Sequence, residues 1–346
     1  MRSPFYENQK VLKSRSSRPI ERLLPIKHVR PKVLIEQDRI RNMTSQYRWI
    51  GPMRRWHAWL CVTITAAVLR AEIAQPVMAR RRPIEVANAA VERSLVYKRV
   101  NGVVLTLDLY RPEGVSGLLP VILCVHGGHW DAGGKDRCPA VTLVQDGYAV
   151  ASINYRLART APFPAQLEDC KAAVRWLRAN ASTYHLDPDR IGVWGYSSGG
   201  HLAALLGTTG GLPELEGSGD NLQYSSQVQA VCDVAGPADL LAMANLGPKR
   251  TLAIEGLLGG PPENDKAKAI AASPIHYVSK DDPPFLIVHG EGDRVIPVEQ
   301  GQRLYEELRK AGVNATLKIL PAGHRAIQTD ALKDAEVFFD ATLKKH

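Results

Sequence analysis

The sequence has few cysteines, and none of its cysteines or histidines has the spacing of a common zinc site. Five cysteines occur among 346 residues, with no Cys-x-x-Cys pair and no His-Glu-x-x-His motif. These absences give no support for metal dependence, and we predict neither a metal nor another cofactor. Cys61 lies in an N-terminal apolar run. Export would allow one disulfide, but the sequence does not pair the remaining cysteines: Cys124, Cys138, Cys170 and Cys232.

A surplus of positive charge is absent from most of the chain, although the formal net charge is +9. Residues 1–55 carry 14 Lys and Arg against 4 Asp and Glu, whereas the other residues carry 30 against 31. The basic character therefore belongs to an N-terminal segment. The remainder gives no electrostatic reason to bind nucleic acid, and we predict no nucleic-acid partner.

No hydrophobic run is long enough to span a bilayer comfortably. The uncharged run 58–69 has 12 residues, follows Met53 and two arginines, and precedes small residues and Pro76. This order is typical of a secretory signal peptide, so we predict export without stable membrane insertion after processing. Residues 1–52 are then a disordered basic extension or a mis-assigned start, and 53–75 are the signal peptide. The alternative is an amphipathic or buried helix in a cytoplasmic protein.

Internal repeats are also absent, and from about residue 85 strands and helices alternate. Two segments with alternating apolar residues flank Asn101-Gly102, which predicts a β-hairpin. Continuous apolar runs such as PVILCV and RIGVW predict central strands covered on both faces. We predict an α/β fold for residues 85–346, with a mostly parallel central sheet, an antiparallel N-terminal hairpin and helices on both faces. Residues 236–275 interrupt the alternation and are predicted to form a small cap or excursion.

The clearest predicted helix covers residues 165–181. Leu167, Cys170, Val174 and Leu177 form its apolar stripe, so Cys170 is interpreted as a small core residue. The charged residues of the helix lie outside this stripe: Glu168, Asp169, Lys171, Arg175 and Arg178.

A Gly-Tyr-Ser-Ser-Gly segment follows the apolar run RIGVW and precedes a helix of small residues. A sharp strand-to-helix turn of this kind raises its central residue above the sheet, and small flanking residues relieve the crowding. Ser197 is central, so its hydroxyl is the candidate nucleophile, at a helix N-terminus that favours negative charge. Ser198 is predicted to contribute its backbone N–H instead. The alternative is a glycine-rich turn in which a serine caps the helix.

A serine nucleophile requires a base and an orienting acid. In this architecture the acid and then the base follow the serine along the chain. His324, in the PAGH loop after the last predicted strand, is the predicted base. The loop HGEGDRVIP offers Glu291 and Asp293, and we choose Asp293 because it lies further into the loop. The other histidines after the serine lie in a helix, a linker, a buried strand or at the terminus: His201, His276, His289 and His346.

The segment HGGHW at 126–130 ends the strand VILCV at the same predicted edge of the sheet. Glycines there allow the backbone to approach a ligand with its N–H groups directed at it. Amides of Gly127, Gly128 or His129, together with that of Ser198, are therefore predicted to bind a developing oxyanion, and we favour Gly128 and His129.

Because it carries a candidate serine, acid, histidine and oxyanion loop in this order of motifs, the sequence resembles the α/β-hydrolase esterases and lipases. HGGHW, PFPAQLEDCKAAVRWLRANA, DPDRIGVWGYSSGGHLAALLG, HGEGDRVIP and PAGH follow the family order over roughly residues 90–343. The pattern is similar to bacterial carboxylesterases related to hormone-sensitive lipase, acetylxylan esterases and feruloyl esterases. The resemblance implies that Ser197, Asp293 and His324 are nucleophile, acid and base. His129 stands where esterases with the oxyanion-loop motif HGGG have their third glycine. The resemblance is therefore to the branch of these esterases with the motif HGGxW.

We predict a serine carboxylesterase that forms an acyl-enzyme with small-molecule or polysaccharide-linked esters. Acetyl, feruloyl and short-chain fatty acyl groups all fit the pattern. One alternative is a serine peptidase of the prolyl-oligopeptidase type, but those proteins carry a repeated-strand propeller before the catalytic domain. Here about 80 unpatterned residues precede it. A non-catalytic binding module on a hydrolase scaffold is the second alternative, disfavoured because all three predicted catalytic residues are present.

Overall fold

The computed structural model describes residues 84–344. The strands are β1 (Ala89–Val100), β2 (Val103–Pro112), β3 (Leu119–Val125), β4 (Ala149–Ile153), β5 (Leu186–Tyr196), β6 (Ala230–Val234), β7 (Phe285–Gly290) and β8 (Ala315–Leu320). The helices are α1 (Ala165–Ala179), α2 (Ala181–Tyr184), α3 (Ser198–Thr208), α4 (Leu240–Ala244), α5 (Pro248–Leu258), α6 (Lys266–Ala271), α7 (Val298–Lys310), α8 (Ile327–Asp330) and α9 (Leu332–Leu343). Short 3-10 segments cover Lys135–Arg137, Pro139–Asp146, Pro213–Leu215 and Pro274–His276.

The predicted N-terminal hairpin is present. Strands β1 and β2 pair antiparallel, with Val100 opposite Val103 across a two-residue turn. Asn101 and Gly102 both have positive φ, 49° and 77°. Two consecutive left-handed residues are what a type I′ turn requires, and asparagine and glycine adopt that conformation at low cost.

All eight strands form one sheet in the order β1-β2-β4-β3-β5-β6-β7-β8. Strand β2 pairs antiparallel with β4, and every pairing among β3 to β8 is parallel. The excursion predicted around 236–275 contains α4, α5 and α6, between β6 and β7. The predicted α/β-hydrolase fold is therefore confirmed. Because the strands from β3 onward run the same way, their carboxyl ends and the following loops lie at one edge of the sheet.

Both faces of the sheet are covered by apolar side chains. Neighbouring residues of β5 point to opposite faces, so Val193 and Trp194 belong to two separate buried clusters. The first cluster includes Leu167 of α1, Leu202 of α3 and Leu304 of α7. The second includes Phe339 of α9 and Val141 and Leu143 of the 3-10 segment Pro139–Asp146. This two-sided cover explains why the central strands read as continuous apolar runs.

Helix α1 carries buried charges as well as its apolar stripe. Asp169, Lys171 and Arg175 lie outside the stripe, as predicted, yet all three are buried. Lys98 of β1 contacts Asp169 at 2.8 Å, while Lys171 at 2.7 Å and Arg175 both pair with Glu216. The helical period identifies the face toward the sheet, but it does not reveal that other segments cover the helix flanks.

Two of the cysteines whose pairing the sequence left open form a disulfide. Cys124 at the end of β3 is bonded to Cys138, with a Cα–Cα distance of 6.3 Å. The bond closes the loop that contains HGGHW. Cys170 and Cys232 are free and buried, which agrees with the interpretation of Cys170 as a core residue.

The basic extension predicted for 1–52 and the signal peptide predicted for 53–75 lie outside the described residues. Between residues 84 and 344, no helix is both long enough and apolar enough to cross a bilayer. Elements of the single sheet and its helices extend from residue 89 to residue 343.

Candidate active site

Ser197 lies in the turn between the end of β5 and the start of α3. Its φ and ψ are 57° and −123°, which non-glycine residues rarely adopt. The N–H of Ser197 donates to the carbonyl of Val234 on the adjacent strand β6 at 2.8 Å, so the sheet holds the turn in place. The serine therefore stands at the carboxyl edge of the sheet and at the N-terminus of a buried helix.

The two glycines of the turn are required by close packing. A methyl group on Gly195 would overlap the carbonyl of Gly199, and one on Gly199 would overlap the carbonyl of Val125 at the end of β3. Three backbone segments thus meet without room for a Cβ atom. This geometry agrees with the prediction that small residues relieve crowding at these positions.

The structure brings the predicted base and acid to Ser197. The imidazole of His324, in the loop after β8, has Nε2 at 3.0 Å from the Ser197 hydroxyl. Its Nδ1 lies 2.6 Å from Oδ2 of Asp293, in the loop after β7. A neutral imidazole in this position would donate its Nδ1–H to the carboxylate and accept the serine proton at Nε2.

Asp293 is fixed by its own loop. Its second carboxylate oxygen accepts hydrogen bonds from the N–H groups of Val295 and Ile296 at 2.8 and 2.9 Å. Burial by itself would raise the pKa of Asp293, but His324 and these N–H groups outweigh it and lower the pKa below its ordinary value. Glu291, the alternative acid, is exposed. Asp293 therefore remains an ionised carboxylate beside the imidazole down to lower pH than an ordinary aspartate.

The candidate oxyanion loop lies against the serine. A Cβ on Gly127 would be 2.8 Å from the Tyr196 carbonyl and 3.2 Å from the Ser197 Cβ. Gly128 has φ 135° and His129 has φ 54°, so the loop turns sharply there. The N–H groups of these three loop residues have no acceptor among residues 84–344. Their hydrogen-bonding capacity is therefore not used by the described part of the chain.

Ser198, the fourth residue predicted for oxyanion binding, is the first residue of α3. Its N–H is one of the amides that a helix leaves unpaired at its N-terminus. The ring nitrogens of His324 contact Ser197 and Asp293, and the Ser198 hydroxyl is not among their partners. Of the two adjacent serines, only Ser197 has its hydroxyl in contact with the imidazole.

Two contacts near the site were not predicted from the sequence. The hydroxyl of Tyr196 donates to the backbone carbonyl of His324 at 2.7 Å. The indole N–H of Trp130 donates to Nδ1 of His201 at 3.1 Å. All four residues lie in or beside the motifs GYSSG, HGGHW and PAGH, but a motif does not show which distant residue its side chains contact.

The fold and the arrangement of serine, histidine and carboxylate define the class of α/β-hydrolases. Within this class, the model of the BD-FAE family matches residues 107–308, more than half of the chain. The protein therefore belongs to the BD-FAE family.

Three proteins similar to this chain are named as esterases or ester hydrolases. Esterase LipQ of Mycobacterium tuberculosis is 34% identical over 233 residues, which cover 65% of this chain and 55% of LipQ. A carbohydrate esterase from gut microbiota, solved in truncated form, is 34% identical with a TM-score of 0.70, over 76% of this chain and 99% of that one. An acetyl ester-xyloside bifunctional hydrolase from Caldicellulosiruptor lactoaceticus is 27% identical with a TM-score of 0.61, over 70% and 89%. The chain spans about half the length of the curated relatives it matches.

Proposed function

We propose that this protein is a serine carboxylesterase with Ser197 as nucleophile, His324 as general base and Asp293 as the orienting acid. The observation that carries the proposal is the chain of contacts from the serine hydroxyl to Nε2 at 3.0 Å and from Nδ1 to the carboxylate at 2.6 Å. Membership of the BD-FAE family supports it independently.

The reaction follows from this order of groups. The Ser197 oxygen attacks the ester carbonyl carbon while Nε2 of His324 takes the hydroxyl proton. The tetrahedral intermediate then collapses, the imidazolium gives its proton to the departing alcohol, and an acyl-serine remains. A water molecule, deprotonated by His324, attacks the acyl carbon and releases the acid. Asp293 keeps the imidazole in the tautomer that accepts at Nε2.

The oxyanion formed in both halves of this reaction requires hydrogen-bond donors beside Ser197. We assign the N–H group of Ser198 and those of Gly128 and His129, with Gly127 as the alternative loop donor. The unpaired N–H groups of the loop and its close approach to the serine support this assignment. Removal of one such donor typically lowers kcat by about 10²–10³-fold.

The substrates we propose are short-chain or carbohydrate-linked esters. The names of the similar proteins support this class, because they include a carbohydrate esterase and an acetyl ester-xyloside hydrolase. A panel of aryl esters with increasing acyl length, together with acetylated xylan and methyl ferulate, would identify the acyl group. A prolyl peptide anilide in the same panel tests the peptidase alternative, and hydrolysis of the anilide in preference to every ester would refute an esterase.

The test of the mechanism compares two adjacent serines. Ser197→Ala should lower hydrolysis of p-nitrophenyl acetate by at least about 10⁴-fold, whereas Ser198→Ala should retain most of the activity, because only its backbone takes part. An acyl group trapped on Ser197 and detected by peptide mass spectrometry would complete the assignment. Comparable losses in the two variants would refute it.

We also propose that a chain beginning at Met53 is exported and trimmed between about residues 70 and 80. The Cys124–Cys138 disulfide supports this, because structural disulfides persist mainly in oxidising compartments. N-terminal sequencing of the protein recovered from its native host tests the proposal. An active cytoplasmic enzyme that retains residue 1 would contradict it.

A further inference from the structure

His201 occupies the helix that begins beside the candidate nucleophile, and its imidazole is fully buried. Each ring nitrogen has a partner from a different segment. Nδ1 accepts the indole N–H of Trp130 at 3.1 Å, and Nε2 lies 2.6 Å from the carbonyl of Ala272, directly after α6. The two rings meet edge to face, with centroids 5.1 Å apart. One side chain thus joins the HGGHW loop, α3 and the end of the excursion.

The chemistry of these partners fixes the protonation of His201. Burial lowers its pKa to about 4, so the imidazole is neutral near pH 7 and carries one ring proton. A backbone carbonyl only accepts, so that proton lies on Nε2, toward Ala272. Nδ1 is then an acceptor, and the indole of Trp130, which only donates, is a matched partner. The hydrogen-bonding capacity of both rings is used.

The loop that donates this hydrogen bond, through the indole of Trp130, has an uncommon backbone conformation. His129 and Trp130 are consecutive non-glycine residues with φ of 54° and 59°. Non-glycine residues adopt this conformation at a cost in free energy, and they persist in it only where the surroundings hold them. The Trp130 side chain is buried, and the backbone carbonyl of Trp130 accepts the N–H of Ala158 at 2.9 Å. The indole bond to His201 ties this strained turn directly to the helix of Ser197.

We propose that Trp130 and His201 are positioning residues, whose hydrogen bond holds the N–H groups of Gly128 and His129 in register with that of Ser198. The inference rests on the proposed esterase function, since it gives those N–H groups an oxyanion to bind. Neither ring needs to touch the substrate. The pair acts by fixing the distance between two sets of donors that come from different loops.

Three variants separate this role from general packing. Trp130→Phe removes the indole donor, and His201→Leu removes the acceptor at similar volume. His201→Asn retains an acceptor close to the position of Nδ1 and loses the contact with Ala272 and the edge-to-face ring contact. Tyr148→Phe is the matched control, because it deletes a buried aromatic hydroxyl whose bond, to Asp340 at 2.6 Å, lies outside the site.

We expect Trp130→Phe and His201→Leu to lower kcat about 10- to 100-fold with KM changed little, since misplacement by about 1 Å costs on this scale. His201→Asn should recover most of the loss, and Tyr148→Phe should match wild type. Affinity for an aryl trifluoromethyl ketone, whose serine adduct carries an oxyanion, should fall by the same factor as kcat/KM. Affinity for unreacted substrate, measured in the Ser197→Ala background, should not change.

Two outcomes would overturn the inference while leaving the esterase intact. One is that wild type hydrolyses the ester and the Trp130→Phe variant has the same kcat as the Tyr148→Phe control. The other is a loss of kcat without a matching loss of affinity for the ketone. If His201→Leu does not fold, Trp130→Phe and His201→Asn decide the question. If wild type hydrolyses no ester in the panel, the proposed function fails, and this inference fails with it.

Discussion

The phenol of Tyr196 donates a hydrogen bond to the backbone carbonyl of His324 at 2.7 Å, across 128 residues of sequence. Its ring lies 5.1 Å from the imidazole, centroid to centroid. Burial raises the pKa of Tyr196 to about 12, so the hydroxyl remains a donor throughout the neutral range. The residue immediately before the candidate nucleophile therefore anchors the loop that carries the candidate base.

Tyr196→Phe should consequently lower kcat by about 10-fold while the unfolding free energy falls by only about 1 kcal/mol, the net worth of one hydrogen bond. The physical reason is that the His324 loop loses its anchor while the aromatic packing is kept. Steady-state kinetics and urea unfolding measure the two quantities. Tyr148→Phe removes a phenol bond to the Asp340 carboxylate and should show at least as large a stability loss without the kinetic one. Equal kinetics in the two variants would contradict the anchoring role.

Asp293→Asn should leave the fold intact but lower kcat by up to about 10⁴-fold. An amide oxygen can still accept the N–H groups of Val295 and Ile296, but the amide favours the wrong imidazole tautomer at His324. Glu291→Gln is the control and should cost little, because that side chain is exposed. The kcat of both variants on a short-chain aryl ester is the measurement. If the glutamine variant is the inactive one, the acid is misassigned.

Gly195→Ala should destabilise the protein and abolish esterase activity. The added methyl group would overlap the Gly199 carbonyl inside the turn that carries Ser197, and overpacking of this kind costs about 1–3 kcal/mol or more. Gly256→Ala is the control. Gly256 lies on the exposed face of α5, and a methyl group added there would have no other atom within 4 Å. It should gain about 0.5–1 kcal/mol from helix propensity. Urea unfolding checks both variants. An unchanged unfolding free energy in Gly195→Ala would show that the turn has room for a methyl group at this position.

Asp233 should make the unfolding free energy depend on pH. The carboxyl is buried in β6, where Oδ1 accepts the Gly236 N–H at 2.9 Å and Oδ2 has no partner within the described residues. Burial raises its pKa to about 7, which the Gly236 bond offsets only in part. Between about pH 4 and 7 the folded state therefore holds one more proton than the unfolded chain. Stability should fall as pH rises through this window, by about 1.4 kcal/mol per pH unit.

Asp233→Asn removes this titration and keeps the side-chain volume. In this variant the plot of unfolding free energy against pH should lack the contribution of Asp233 to the slope. The plots for wild type and variant should therefore diverge between about pH 4 and 7 and run parallel above pH 7. Urea unfolding at several pH values measures the difference, in which the other titrating groups cancel. Parallel curves across the whole range would mean that Asp233 is ionised in the folded protein.

The sequence by itself determined the order of strands and helices and the place of each motif at the ends of strands. These are local properties: apolar runs predict central strands, Asn101-Gly102 predicts a left-handed turn, and small residues at 195 and 199 predict a tight one. Because parallel strands share a carboxyl edge, motif order was sufficient to name Ser197, Asp293 and His324 as candidates that the structure brings together.

Tertiary structure alone decided the partners that lie far apart in the chain. The local sequence does not reveal that Tyr196 contacts the His324 carbonyl or that Trp130 contacts a ring nitrogen of His201. It also does not reveal the ion pairs in which the buried charges of α1 take part. The pairing of Cys124 with Cys138 belongs with them. The physical reason is that residue type and period report which face of an element is apolar. The identity of a buried polar partner depends on which segments the folded chain packs against that face.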